Sequence, residues 1–191
     1  MSTLQRVSST IERLTKSKVI FIVLFLVTIY TFILLQENVV GRMGGNPALD
    51  SFFGYGPEKG HKVMSQMTYA EKETYLGLYT KGYDIVIPFL LTYLPCALIS
   101  FTMPSSILNT VPLLYMLGDY AENITHYFII LDYMGTYTNA KHPLDSMPSP
   151  NTIMLLRAGG FFALFKYVFF VLFGLIKKLF LVEREHHGHR D

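Results

Sequence analysis

The sequence has little charge, one cysteine and no tryptophan. Only 16% of its 191 residues are charged, whereas soluble globular domains carry about 25%. The formal net charge of +2 provides no basic face, so we expect no nucleic-acid partner. The lone cysteine, Cys96, excludes an intramolecular disulfide framework and a thiolate metal cluster. Apolar residues make up 51% of the chain, which is typical of a membrane protein.

Four long apolar segments predict four membrane-spanning helices, at about 19–36, 83–103, 111–133 and 152–180. The first contains VIFIVLFLVTIYTFILL, 17 positions without a charge, and a spanning helix needs about 17–25 such residues. This run is longer than the apolar part of a signal peptide and has no small-residue cleavage site, which favours an uncleaved helix. The expected fold class is therefore all-α, a four-transmembrane-helix bundle occupying residues 18–182.

The basic residues predict the orientation, because cytoplasmic segments of membrane proteins carry an excess of Lys and Arg. The connection between the third and fourth spans holds only Lys141. Both ends of the chain are basic, through Arg6, Arg13, Lys16, Lys18, Lys177, Lys178, Arg184 and Arg190. Four spans place both termini on one side. We therefore expect an integral, multi-pass protein with a basic cytoplasmic N-terminus (residues 1–17) and a His-rich cytoplasmic tail (residues 183–191).

The loop between the first two spans, residues 37–82, is then extracytoplasmic, and its sequence predicts two helical segments. Pro57 suits the first position of a helix. Thr68 and Glu71 match a capping box, in which each residue's side chain accepts a hydrogen bond from the other's backbone N–H. A helix that starts there can run straight on into the second span.

The third span is two-faced. At 100° per residue, Asp119, Glu122, Asn123 and His126 fall on one stripe, with Leu117, Ile124 and Phe128 on the opposite side. An ionisable residue inside a span costs about 2.5–3.5 kcal/mol on insertion scales, so it is a functional-site hypothesis by default. We expect the polar stripe to face the bundle and the apolar side to face lipid.

The fourth helix offers a partner for that stripe, because Lys166 lies at a similar depth to Glu122. At 1.5 Å per residue the two should stand within about one turn of each other. Asp84, on the second helix, is expected roughly 13 Å further out by the same rise. Lys166 is expected to face the bundle rather than lipid, since it shares an arc of the fourth helix with Gly159, Ala163, Phe170 and Gly174. Gly159 and Ala163 form a small-xxx-small pair that permits close helix approach.

The middle layer then holds two carboxylates, Asp119 and Glu122, against Lys166. Two interpretations remain open for this buried network of Asp84, Asp119, Glu122, Asn123, His126 and Lys166. It is either a proton-titratable or cation-binding site, or a fully paired polar network that fixes the register of the helices.

An enzymatic interpretation is less favoured. His126 is the only histidine within a span, and no paired-histidine metal motif accompanies it. Asp119, Glu122 and His126 share a face, but a second helix would have to supply further metal ligands. We therefore predict no catalytic residue, no metal site and no cofactor.

One combination of motifs has a recognisable order: LDSFFGYG in the loop, YDIVIP in the second span and GDYAEN in the third. It resembles a widespread, uncharacterised group of small four-helix integral membrane proteins with LD…GY, YD…P and D-x-x-E-N motifs. The resemblance implies the same architecture and highlights Leu49, Asp50, Gly54 and Tyr55 as an outer-loop motif. It implies no activity.

The leading hypothesis is a non-enzymatic structural or interaction protein held by the carboxylate–lysine network. Its expected partners are the lipid bilayer and a second copy of the chain or another membrane protein. The alternatives are a small proton- or cation-coupled transport component and a membrane-embedded lipid-modifying enzyme.

Overall fold

The computed structural model describes residues 2–43, 47–104, 106–136 and 148–188, and the side chains of α7 up to residue 172 together with 174 and 175. These residues form an all-helical structure without strands. Its α-helices are α1 (Thr3–Thr15), α2 (Lys18–Asn38), α3 (Pro57–Gln66), α4 (Tyr69–Thr80), α5 (Tyr83–Thr102), α6 (Val111–Thr136) and α7 (Pro150–Gly188). Short 3-10 turns occupy Val40–Arg42, Leu49–Ser51 and Ile107–Thr110.

Each of the four predicted spans coincides with a helix: α2, α5, α6 and α7. Among the described residues, three segments are long and apolar enough to cross a membrane: Lys18–Arg42, Tyr83–Thr102 and Pro150–Leu172. The helix α6 is outside that group because its polar stripe lowers its mean hydropathy.

The loop between α2 and α5 is partly helical, as the sequence predicts. Pro57 is at the start of α3. The Glu71 N–H donates to Thr68 Oγ1 at 3.3 Å and the Thr68 N–H donates to Glu71 Oε2 at 2.7 Å, so the capping box is confirmed. The expected continuous helix from Thr68 into the second span is wrong, because Gly82 separates α4 from α5 with φ of 80°, a left-handed conformation that glycine adopts without a steric penalty.

The basic N-terminal segment forms α1, a helix that the composition of residues 1–17 did not lead us to expect. Ser2 caps it, accepting a hydrogen bond from the Gln5 N–H. The helix packs against the link between α5 and α6, where Ser8 Oγ donates to the Ser106 carbonyl at 3.0 Å and Asn109 Nδ2 donates to the Ser8 carbonyl at 3.0 Å. The N-terminus and the α5–α6 link therefore lie at the same end of the molecule.

The buried hydrophobic core joins the outer loop to α6 and α7. It includes Met64, Tyr75, Ile129, Tyr133 and Leu156. The helices α6 and α7 form the most extensive pair among the described elements. Further along α7, Phe170 and Gly174 are exposed, although the Phe170 ring lies 6.3 Å from that of Tyr115 on α6, so the arc that they share with Lys166 is only partly covered.

Candidate functional site: a buried carboxylate–lysine network

The centre of the network is Lys166, whose ammonium group contacts two carboxylates of α6. Lys166 Nζ lies 2.6 Å from Glu122 Oε2 and 3.0 Å from Asp119 Oδ1. All three residues are buried, with Glu122 fully inaccessible. This is the contact that the two helical faces predict. One ammonium group therefore contacts two carboxylates, so the site holds one more carboxylate than cation, as the sequence predicts.

Asn123 extends the network to α5. Its Nδ2 lies 3.4 Å from Asp119 Oδ2 and 3.1 Å from the backbone carbonyl of Asp84. Asp84 therefore stands at the level of Asn123, and its expected position some 13 Å further out is wrong. The link between α5 and α6 runs back along α5, so that Thr92 of α5 lies beside the start of α6, with its Oγ1 3.5 Å from the Pro112 carbonyl. The helix α6 therefore begins part-way along α5 and extends past the outer end of α5.

His126 links the network to the outer loop. Its Nε2 lies 2.7 Å from the Tyr55 hydroxyl and 3.9 Å from Glu122 Oε1, and its Nδ1 lies 3.4 Å from the Tyr75 hydroxyl. A neutral imidazole has one donor and one acceptor nitrogen. The two tyrosines would then take opposite roles, one accepting from His126 and one donating to it.

Glycines allow Tyr55 to enter between α6 and α7. A Cβ added at Gly160 would overlap the Tyr55 carbonyl, and one added at Gly159 would overlap its hydroxyl. Gly54, with φ of 108°, lies against the Leu164 side chain. The Gly159–Ala163 region, expected to receive a helix, receives the outer loop as well as His126 of α6.

The remaining loop-motif residues lie against Tyr75. The Leu49 N–H donates to the Tyr75 hydroxyl at 3.0 Å. Burial raises the pKa of the neighbouring Asp50 carboxyl above its ordinary value of 3.8, while the nearby Lys166 acts in the opposite direction. Burial likewise raises the pKa of Tyr55, with Glu122 adding to the shift, and that of Tyr75, with Asp50 adding to it. The structure thus brings the outer-loop motif and the span residues into one site.

Tyr75 is the participant that the sequence reasoning missed. It lies two turns into α4 on a face with the buried residues Lys72 and Leu78. The spacing of Tyr75 from Leu78 places both on one face of the helix and could have indicated an inward-facing side chain. A buried tyrosine O–H usually has a hydrogen-bond partner, so this hydroxyl could have been expected to join a polar network.

A cavity of about 380 Å³ adjoins the network. Apolar side chains of α2, α4 and α5 form its walls. Its polar end carries Asp50, Asp84, Asp119, Asn123 and Lys166. The space therefore has one charged end and an apolar remainder.

Within residues 2–43, 47–104, 106–136 and 148–188, no group of three or more His, Cys, Asp and Glu side chains is placed to hold a metal ion. Of the predicted His-rich tail, residues 189–191 lie outside the described residues. No protein-family model, no curated protein and no solved structure matches this chain.

Proposed function

We propose that this chain is a non-enzymatic four-span membrane protein whose buried network fixes the helix packing and holds the outer loop in place. The observation that carries the proposal is the series of contacts from Lys166 on α7 through Glu122 and His126 on α6 to Tyr55 of the loop. One polar network thereby joins the bundle to its extracytoplasmic part.

In this proposal α6 also crosses the membrane, together with the three more apolar helices α2, α5 and α7. Its polar residues Asp119, Glu122 and His126 are buried, whereas Leu117 and Ile124 are 60% and 61% exposed. A helix of this kind shields its charges with protein and presents its apolar side to lipid. The basic termini favour a cytoplasmic location for both ends, in keeping with the contact between α1 and the α5–α6 link.

Removing the cation tests the network. Lys166→Met leaves Glu122 and Asp119 buried without a counter-charge, which should cost about 3–5 kcal/mol of unfolding free energy. Because Lys166 contacts both carboxylates, Lys166→Met/Glu122→Gln should recover part of that stability. The triple variant with Asp119→Asn should recover most of it.

Cys96 provides the measurement. It is the only cysteine and is buried, so a thiol-reactive fluorophore reports unfolding of the purified protein in detergent. Lys62→Met, at an exposed lysine of α3, is the matched control and should leave the melting temperature unchanged. A triple variant no more stable than Lys166→Met alone would contradict the proposal.

The seated loop also presents a surface for a protein partner, with Tyr69 at 53% exposure on α4. A photo-crosslinking amino acid placed there in native membranes should form a protein adduct, and one at Val23 on α2 should react chiefly with lipid. Equal protein adducts from both positions, or none from Tyr69, would argue against a partner at the loop.

A further inference from the structure

The cavity beside the network has the dimensions of a ligand site. Small-molecule pockets measure about 300–1,000 Å³ and combine apolar walls with a few convergent polar groups. This one has a volume of about 380 Å³, with Phe32, Leu35, Ile87 and Leu91 among its wall residues. Water in such a space would find few polar partners, whereas an alkyl chain would bury apolar surface against α2 and α5.

The nitrogen donors at the polar end of the cavity, those of Lys166 and Asn123, are already engaged. The ammonium of Lys166 is already engaged by Glu122 and Asp119, and the Asn123 amide contacts Asp119 and the Asp84 carbonyl. Asp50 Oδ1 and Asp84 Oδ2 are both buried and have no hydrogen-bond partner among the described residues. A buried carboxylate oxygen without a partner is costly, and a cationic donor would form a strong, charge-assisted hydrogen bond with it.

We infer that this cavity binds an amphiphile whose headgroup is a primary ammonium, held by the carboxylates of Asp50 and Asp84 while its alkyl chain lies along α2 and α5. A primary ammonium supplies positive charge and three N–H donors, as the lysine side chain does. An anionic headgroup would face two carboxylates, each with a buried oxygen that lacks a hydrogen-bond partner among the described residues, and is therefore disfavoured. This binding function is additional to the structural role of the network.

Direct binding tests the inference. Purified protein in maltoside detergent is incubated with tritiated decylamine, and bound ligand is measured by scintillation proximity with unlabelled competitors. We expect saturable binding of one decylamine per chain. Decyltrimethylammonium, which keeps the charge without N–H donors, and decanol, which keeps a donor without the charge, should each compete at least about tenfold more weakly, as expected for a lost charge-assisted hydrogen bond.

Variants assign the binding to this cavity. Asp50→Asn and Asp84→Asn should each weaken decylamine binding about tenfold or more. Glu73→Gln, at an exposed carboxylate of α4, should leave it unchanged. Leu91→Trp fills the apolar part and should abolish binding. The elution volume in gel filtration shows that each variant is folded, and the two single aspartate variants provide independent tests if one of them fails to fold.

Absence of saturable decylamine binding by the wild-type protein would overturn the inference. So would equal competition by decanol, or unchanged affinity in folded Asp50→Asn and Asp84→Asn. The stability measurements on Lys166 variants do not depend on any of these results, so the network and the ligand site can fail separately.

Discussion

The helix α2 is strongly apolar but little covered by the rest of the protein, whereas α6 carries charged residues and is extensively packed. α2 contains the uncharged run of 17 residues, and Thr28 is its one buried residue. α6 carries Asp119, Glu122 and His126, and all three are buried. Of the three segments apolar enough to cross a membrane, the one containing α2 has the highest hydropathy and the smallest buried share. The helix α6, with the most buried charge, packs most extensively against its neighbours among the described elements.

This difference is the one expected of a protein whose solvent is a lipid bilayer. In a bilayer an apolar side chain gains little by leaving lipid for protein, because lipid tails are as apolar as the protein interior. A charged side chain gains a great deal, because lipid offers it no partner. Polar groups therefore specify which helices of this protein pack together, and apolar runs specify which helices can face lipid.

Among the tests of this comparison, the largest effect is expected from the same isoleucine-to-alanine change made on each of the two helices. Ile129→Ala on α6 empties a fully buried site and should cost about 2–5 kcal/mol. Ile29→Ala on α2, at a position 45% exposed, should change stability by no more than about 0.5 kcal/mol. Unfolding followed through Cys96 measures both. Equal costs would mean that α2 is packed as tightly as α6.

A smaller effect is expected from detaching the loop from α6. Tyr55→Phe removes the hydroxyl 2.7 Å from His126 Nε2 and leaves a buried polar nitrogen without that partner, which should cost about 1–3 kcal/mol. Hydrogen exchange of α3 and α4 should increase at the same time. Tyr69→Phe, at an exposed hydroxyl on α4, is the control. Unchanged exchange in Tyr55→Phe would show that the loop is held by apolar packing alone.

The smallest effect concerns Asp50, in the loop that leaves α2 and reaches the network of α6. Burial raises the pKa of this carboxyl in the folded protein above its ordinary 3.8, so the folded state holds the proton more tightly than the unfolded state does. The resulting stability is present below pH 3.8 and is lost as the pH rises through the folded-state pKa.

Asp50→Asn removes that contribution, so its unfolding free energy should fall less than the wild-type value as the pH is raised from 3.5 to neutrality. Melting curves across this interval, measured through intrinsic tyrosine fluorescence in one detergent, provide the comparison. Parallel curves for the two proteins would show that Asp50 does not titrate differently on folding.

Much of the helical layout could be predicted from local patterns. The uncharged run of α2, the capping box at Thr68 and the two-faced pattern of α6 are each encoded within a few turns of helix. The contact between Lys166 and Glu122 also follows from helical phase and depth, because both residues lie near the middle of their apolar segments.

The remaining features depend on tertiary placement. The level of Asp84 could not be obtained from its own span, since it follows from the link between α5 and α6, which runs back along α5 before α6 begins. The partnership of Tyr75 and Tyr55 with His126 joins residues 51 and 71 positions apart, and no periodic pattern reports such a pairing. The helix α1 acquires its position from hydrogen bonds with a link 98 residues away.

The position of Tyr55, between two glycines of α7 and His126 of α6, determines when the loop can dock during folding. The loop is synthesised before α6 and α7, and its binding surface does not exist until the chain has been made as far as Gly160. In the proposed topology the loop therefore crosses the membrane and stays undocked until the later helices have been inserted. Docking of the loop is then the last step of folding, and a chain truncated before Gly160 would leave the aromatic contact surface of the loop uncovered.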